Sequence, residues 1–529
     1  MVDPIVATFV ILALAMVGFV SGRVPIALVA VGVALALWAT GVITLPQALA
    51  GFGDSTVIFI ATLFVVSEAL DATGVTAWAG QQVIGRAGTG RRQLTVVVAL
   101  MVAVLTAFIS LNGAVAALLP VVVVVALNAG IAPSRLLLPL AFSSHAGSLL
   151  ALTGTPVNVL VSDAAANAGG ERFGYFEFAL AGLPLLAITV AILVTFGDRL
   201  LPDRKADQLD TAPADPEAMA REFRRSYDLT HDTGTFYTPD EGVAEVMITP
   251  RSEYIGRKVF PGMTTLRENL VIIAIKRNGE RHPSGSDDDE PEALRPGDSL
   301  LVRGPWDALE RYVRLPGVIP VTEPQSLRRA VPLGRGARRA IAVLVAMVVL
   351  LASGLVPAVV AGLLAAGALV LLRVLDLPQV WRSIQWSTVV LIAGLIPLST
   401  AFIETGAAEL VAGWLLDLVG TASPHLALLA ICLLTLLLGQ VISNAATVLV
   451  MIPIALSVAA TLDASVQPFM MALTVVGAAA FFTPIATPVN LMVLEPGGYK
   501  FGDYWRLGTP LALAYVVIAV LWVPVIWPF

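Results

Sequence analysis

Apolar residues along this chain fall in runs long enough to be membrane helices, and the runs come in two sets. The first set covers 4–20, 24–42, 56–70, 93–109, 114–127, 136–152 and 179–197. The second covers 340–352, 354–372, 387–403, 426–442, 445–460, 466–482 and 507–527. About 20 apolar residues cross a bilayer as a helix. The pattern therefore predicts an all-α polytopic membrane protein interrupted by one polar insert. The first run follows Asp3 and not a basic segment, so it is read as a membrane helix and not as a cleaved signal.

The two sets are copies. A spacing of 332 residues relates Pro46-Gln47 to Pro378-Gln379, Ser55-Thr56-Val57 to Ser387-Thr388-Val389, Thr73-Gly74 to Thr405-Gly406, and Asn112 to Asn444. The same spacing relates Thr155-Pro156-Val157-Asn158 to Thr487-Pro488-Val489-Asn490, while Phe173-Gly174 answers Phe501-Gly502 at 328. One shared tetrapeptide could be chance; a spacing held over more than a hundred residues is a duplication, the usual plan of a secondary carrier.

Composition sharpens this picture. Hydrophobic residues make up 57% of the 529 residues and charged ones 13%, against roughly 25% charged in soluble domains. Between Asp198 and Arg339 lie 22 of the 32 Lys and Arg and 24 of the 38 Asp and Glu. The expected organisation is a membrane repeat over 1–198, an insert over 199–335, and a second membrane repeat over 336–529. A net charge of −6 without a basic tract gives no sign of nucleic-acid binding. One cysteine, Cys432, and four histidines argue against a Cys/His metal centre.

Basic residues set the topology. With five crossings per half, and 93–127 entering and leaving on one side, Arg23, Arg86, Arg91, Arg92, Arg135, Arg373, Arg382, Lys500 and Arg506 share the side of the insert, and only Arg172 opposes them. The positive-inside rule makes that side cytoplasmic. An odd number of crossings inverts the second half. The 404–425 segment, with Glu404, Glu409 and Asp417, is then extracytoplasmic. Gly85–Arg92 reads as a cytoplasmic connector and not a phosphate loop, because no soluble strand and helix flank it.

Two kinds of element carry chemistry. Thr153-Gly154-Thr155-Pro156-Val157-Asn158 breaks an apolar helix, since proline lacks an N–H and disfavours helix before it. Its counterpart, Thr483 to Asn490, has two prolines. Broken backbone in a bilayer survives where it is buried in protein or lines a cavity. There free carbonyls can coordinate a hard cation and a half-helix N-terminus can face an anion. A packing kink is the plainer reading of either copy alone. The second element is a pair of hairpin tips, Ser110-Leu111-Asn112-Gly113 and Ser443-Asn444-Ala445. An Asn amide offers an acceptor to a cation and donors to an oxyanion, though Asn also simply favours turns. His145 lies in the broken helix and reads as a packed polar residue.

Two Asn-bearing tips, two breaks ending in Pro-x-Asn and an inverted repeat resemble the divalent-anion:sodium symporter family, the citrate, dicarboxylate and sulfate transporters. The resemblance covers nearly all of 1–200 and 335–529. It implies an inverted-repeat carrier with two re-entrant hairpins, held in the cell membrane as a homodimer. It implies sodium, partly on backbone, at Ser110, Asn112, Thr153, Gly154 and Asn158, and again at Ser443, Asn444, Thr483, Ala486 and Asn490. It implies a small anionic substrate at Ser110, Asn112, Gly113, Thr155 and Pro156, with Ser443, Asn444, Ala445, Thr487 and Pro488 opposite. The family's tips read Ser-Asn-Thr; here Gly113 and Ala445 stand where the threonines would be.

The insert reads as a linker over 203–241, a small α/β domain over 242–314, and a basic return over 316–339. Strands are expected at 243–249, 269–275 and 299–303, a loop at 283–291, and a short helix from Pro305. The strand–helix–strand order, Ile255-Gly256, Leu294-Arg-Pro-Gly-Asp298 and Leu300-Leu-Val-Arg-Gly304 resemble a TrkA C-terminal (RCK-C) domain, which implies regulation by a small molecule. Alternative readings are an ion antiporter or a metalloid or anion efflux permease of the same broad fold, and a channel or potassium-uptake subunit. No catalytic triad or metal-ligand cluster points to an enzyme.

Overall fold

A computed structural model describes residues 3–529 except 22, 77, 80–89, 205–215, 228–235, 239, 278–279, 282–291, 322–323, 325–335, 420–422, 441 and 485. Most of the Gly85–Arg92 connector, much of the 203–241 linker, the 283–291 loop and the basic Arg328, Arg329 and Arg335 lie outside the described residues. The chain forms two compact units: Met1–Ala69, Gln82–Asp210 and Ala340–Phe529 make the first, Leu70–Gln81 and Thr211–Arg339 the second.

The helical unit is built twice. Its first copy contains α1 (Pro4–Ser21), α2 (Ile26–Ala39), α3 (Leu45–Ala50), α4 (Ser55–Ala72), α5 (Arg91–Phe108), α6 (Leu111–Asn128), α7 (Ser134–Gly147), α8 (Pro156–Asn167) and α9 (Ala179–Leu200). The insert contributes α10 (Pro216–Ser226) and α11 (Trp306–Tyr312). The second copy runs through α12 (Ala337–Ser353), α13 (Ala358–Leu371), α14 (Leu377–Ser383), α15 (Trp386–Thr405), α16 (Ala407–Val419), α17 (Pro424–Leu438), α18 (Asn444–Thr461), α19 (Val466–Gly477), α20 (Pro488–Leu494) and α21 (Phe501–Val517). From α1 to the start of α8 the described boundaries lie within about two residues of the 332 spacing from their counterparts in the second copy, whereas α9 and α21 depart from it, starting at Ala179 and Phe501. Even the caps repeat: Thr44 with Gln47 closes a capping box on α3, and Asp376 with Gln379 closes the same box on α14.

Six of the described helical spans are long and apolar enough to cross a membrane, among them Trp386–Thr405 and Asn444–Thr461. Large apolar side chains such as Leu14, Leu371, Leu437 and Val525 are exposed on the outer faces of helices, where lipid and not water is their fitting solvent.

The second unit holds a five-stranded antiparallel sheet in the order β4-β3-β6-β1-β7. Its strands are β1 (Glu241–Ile248), β3 (Val271–Arg277), β4 (Glu280–Arg281), β6 (Ser299–Pro305) and β7 (Val318–Pro320); β2 (Lys258–Val259) and β5 (Glu292–Ala293) pair separately. The three expected strands are present, and β6, α11 and β7 run strand–helix–strand. Two boundaries are corrected. The 203–241 stretch is not all linker, because it contains α10. The folded core also extends beyond 242–314, to α10 on one side and β7 on the other. Successive strand residues point to opposite faces, so the unbroken apolar run Leu300-Leu301-Val302 needs cover on both. Leu300 and Val302 pack with Trp306, Leu309 and Tyr312 on one face; Leu301 packs with Phe223 and Tyr227 on the other.

Candidate functional site

Each hairpin tip is a helix start. Ser110 caps α6 by accepting the Gly113 amide at 3.2 Å, and Ser443 caps α18 by accepting the Ala446 amide at 3.5 Å. Asn112 is thus the second residue of its helix and Asn444 the first of its own. The first tip is further tied to α4, where Ser67 Oγ accepts the Ser110 amide at 3.2 Å.

Each break is an extended segment between two half-helices. α7 ends at Gly147, Leu152–Gly154 makes a single 3-10 turn, and α8 begins at Pro156 with Thr155 capping it. α19 ends at Gly477, and α20 begins at Pro488 with Thr487 capping it. A Cβ on Gly154 would stand 2.3 Å from the Ser148 carbonyl oxygen, so the turn requires glycine there.

One Asn closes each break. Asn158 Nδ2 donates to Ser148 O and Ala151 O, both at 2.8 Å. Asn490 Nδ2 donates to Ala480 O at 2.7 Å and Thr483 O at 3.0 Å. These contacts fix the amide orientation, because a flipped amide would set its oxygen against two carbonyl oxygens. The atom left over is therefore Oδ1, and in both residues it is buried without a partner. Asn112 Oδ1 and Asn444 Oδ1 are also buried and unpartnered. Tip and break are braced in each half: Thr153 Oγ1 donates to Ala107 O at 3.0 Å, and Gln440 Oε1 accepts the Phe482 amide at 3.0 Å. An unmet buried acceptor costs about 1–3 kcal/mol. Four of them, one at each tip and each break, fit a hard monovalent cation that takes oxygen ligands.

Both tips and both breaks border one cavity of about 280 Å³. Ser110, Asn112, Thr153, Gly154, Thr155 and Pro156 line it from one copy, and Ser443, Asn444, Ala445, Ala486, Thr487 and Pro488 from the other. Four expected site residues, Gly113, Asn158, Thr483 and Asn490, are not in its wall. Sequence reasoning did not place Ser148, Gln385, Ser387, Thr388 and Thr474 there, although the repeated Ser-Thr pair was a signal. His145, read as a packed polar residue, is 1% exposed, lines the cavity and completes no hydrogen bond on either ring nitrogen, with the Asn490 side chain as its near polar neighbour. Its counterpart at the 332 spacing is Gly477.

The described lining contains no Lys, Arg, Asp or Glu. Its wall is mostly apolar, with Ile60, Leu63, Phe64 and Phe108 among the lining, and its polar groups are hydroxyls, amides and one imidazole, several of them in the first turns of α6, α8, α15 and α18. Free amide N–H groups and the positive end of the dipole make a helix start favourable to negative charge. The wall suits an anion held by neutral donors, beside oxygen clusters suited to cations.

The chain matches the citrate transporter family, CitMHS, over residues 16–476 and 419–529. It is 30% identical to the uncharacterized transporter YfbS of Escherichia coli, over 98% of each chain. It is 26% identical to a putative sulfur deprivation response regulator of Chlamydomonas reinhardtii, over 91% of this chain and 94% of that one. A probable sodium/sulfate cotransporter 3 from the same alga is 26% identical over 52% of this chain and 31% of its own length.

Proposed function

Since the chain belongs to the citrate transporter family and is a multi-pass membrane transporter, we propose that it couples sodium entry to symport of a small divalent anion. The anion is sulfate or a dicarboxylate, and it crosses the cell membrane by alternating access. Asn112 Oδ1 and Asn158 Oδ1, with Ser110, Thr153 and Gly154, take one sodium. Asn444 Oδ1 and Asn490 Oδ1, with Ser443, Thr483 and Ala486, take the other. The anion sits between the tips, on Ser110, Asn112, Gly113, Thr155 and Pro156 and on Ser443, Asn444, Ala445, Thr487 and Pro488. The observation that carries this is the repeated unmet oxygen: one buried side-chain amide oxygen that completes no hydrogen bond at each tip and at each break. Likeness to a probable sodium/sulfate cotransporter supports the choice of ions.

The mechanism follows from charge. An anion entering a cavity without Lys or Arg gains little from neutral donors alone, because desolvation is costly. Sodium bound beside it supplies the missing positive charge. Ion and anion thereby favour each other, which is the coupling a symporter needs. The absence of Asp and Glu from the described lining disfavours the antiporter reading, since proton exchange in a membrane is usually carried by buried carboxylates. The insert, with its RCK-C-like fold, lies in the cytoplasm, binds a small-molecule regulator and stands outside the transport path; the carrier works as a homodimer.

Uptake of labelled sulfate and of labelled succinate into proteoliposomes, with and without an inward sodium gradient, tests this. Sodium-stimulated accumulation of either anion is expected. Uptake of neither, or uptake indifferent to sodium, would overturn it.

A further inference from the structure

The duplication extends beyond the cavity wall. At the start of α4, Thr56 donates its hydroxyl to the Asp163 carboxylate on α8. The other Asp163 oxygen pairs with Arg172 Nη2 at 3.0 Å. Asp54 Oδ1 accepts the Thr56 amide at 2.8 Å and fixes that end of the helix. Hydroxyl, carboxylate and guanidinium thus join α4 to the half-helix that carries Asn158.

The second copy holds the same three chemistries in the same order. The 332 spacing takes Thr56 to Thr388 and Asp163 to Glu495, and the 328 spacing that relates Phe173-Gly174 to Phe501-Gly502 takes Arg172 to Lys500. Here the three stand apart. Thr388 borders the cavity, and Glu495 is exposed. Among the described residues, neither Glu495 nor Lys500 makes an ion pair, and the Glu495 carboxylate accepts no hydrogen bond.

We infer that Thr56–Asp163–Arg172 and Thr388–Glu495–Lys500 are the two latches of the carrier, one closed and one open in the state seen here. In an inverted-repeat carrier one repeat rocks or gates against the other around a fixed site, so matched contacts on the two copies would close in turn. The opposite state then closes Thr388 on Glu495 and releases Thr56 from Asp163. Matched chemistry keeps the two closed forms close in energy. That balance is what a carrier needs, because a strong preference for one state reduces the other to a small population. With the sidedness read from the basic residues, the closed latch is extracytoplasmic and the cavity faces inward. The inference rests on the carrier reading only in requiring alternation; it requires neither sodium nor a particular anion.

Cysteine pairs in the full chain, with the native thiol removed by Cys432→Ser, test it in membranes. Thr56→Cys/Asp163→Cys and Thr388→Cys/Glu495→Cys should each cross-link under mild oxidation, although only the first pair touches in this structure. An Ala445→Cys reporter in the cavity should then react with an impermeant thiol reagent from one face in the first cross-linked form and from the opposite face in the second. In the intact background, Asp163→Asn should raise the cross-linking rate of the Thr388→Cys/Glu495→Cys pair several-fold. Cross-linking of the first pair alone, access from the same face in both forms, or no effect of Asp163→Asn would overturn the inference. If transport fails in the sulfate and succinate assay but these cross-links behave as stated, the ion assignment fails and the latches stand.

Discussion

Asn158 and Asn490 hold the chain around them identically: each side-chain amide bridges the carbonyls seven and ten residues upstream and leaves its own oxygen buried and unpaired. The nitrogen end of each residue shapes the break, and the oxygen end completes no hydrogen bond.

That division of labour separates the tips from the breaks. Asn112→Ala and Asn444→Ala remove an amide oxygen that no protein group uses. Each should weaken sodium-dependent uptake by roughly 5- to 150-fold, the equivalent of about 1–3 kcal/mol, with a melting temperature near wild type. Asn158→Ala and Asn490→Ala remove two hydrogen bonds as well, so they should lower both uptake and melting temperature. Thermal unfolding in detergent beside an uptake assay makes the comparison; a tip variant with normal transport would reduce that tip to a turn.

Gly154→Ala places a methyl group 2.3 Å from the Ser148 carbonyl. The backbone must move to admit it, and the carbonyl ring around Asn158 moves with it. Uptake should fall at least tenfold. Ala486→Gly, at the matching place in the second copy, adds no atom and should keep transport within a few-fold of wild type. Parallel initial-rate measurements on the two variants decide the point.

His145 is buried, and neither ring nitrogen completes a hydrogen bond, although the Asn490 side chain stands near the ring. His145→Met replaces it with a flexible apolar side chain and should raise the melting temperature. If the imidazole serves the cavity, the same change should raise the KM for the anion. A stabilised variant with unchanged KM would return His145 to a packing role.

In the insert, Arg277 clamps Asp298 through Nε at 2.9 Å and Nη2 at 2.7 Å, and the Arg295 amide adds a third bond at 2.7 Å. Burial acts to raise the Asp298 pKa, but these hydrogen bonds and the two guanidinium charges outweigh it and hold the carboxyl below its usual range. A carboxylate with a lowered folded pKa contributes stability that is complete above its unfolded value, near 3.8, and is lost as pH falls through the folded one. Hydrogen-exchange protection of β3 and β6 in the full chain should therefore decline below about pH 4. Asp298→Asn should be destabilised already at neutral pH, by about 3–5 kcal/mol for a broken buried pair, and should flatten the acid dependence.

The breaks and tips were legible because proline and asparagine act on the backbone next to them: Pro156 and Pro488 are tolerated in the first turn of a helix and not in its interior, so each marks a helix start wherever the rest of the chain lies. Gln385 and Thr474 gave no such local signal; packing alone brings them to the cavity. The helix at Pro216–Ser226 was missed for another reason. Charge dominates its composition, yet Met219, Phe223 and Tyr227 recur every four residues, the stripe a helix lays on a sheet. The continuous apolar run of β6 had already required something to cover that second face.

One small mismatch between the copies has a thermodynamic consequence. Asn112 is the second residue of its helix and Asn444 the first. At 3.6 residues per turn, one position rotates a side chain by about 100° around the axis. Two amide oxygens presented at different angles cannot make equal cages, so two bound cations would have different dissociation constants. A titration would then show two steps, the tighter site filling first and the looser one setting the concentration at which the cycle turns.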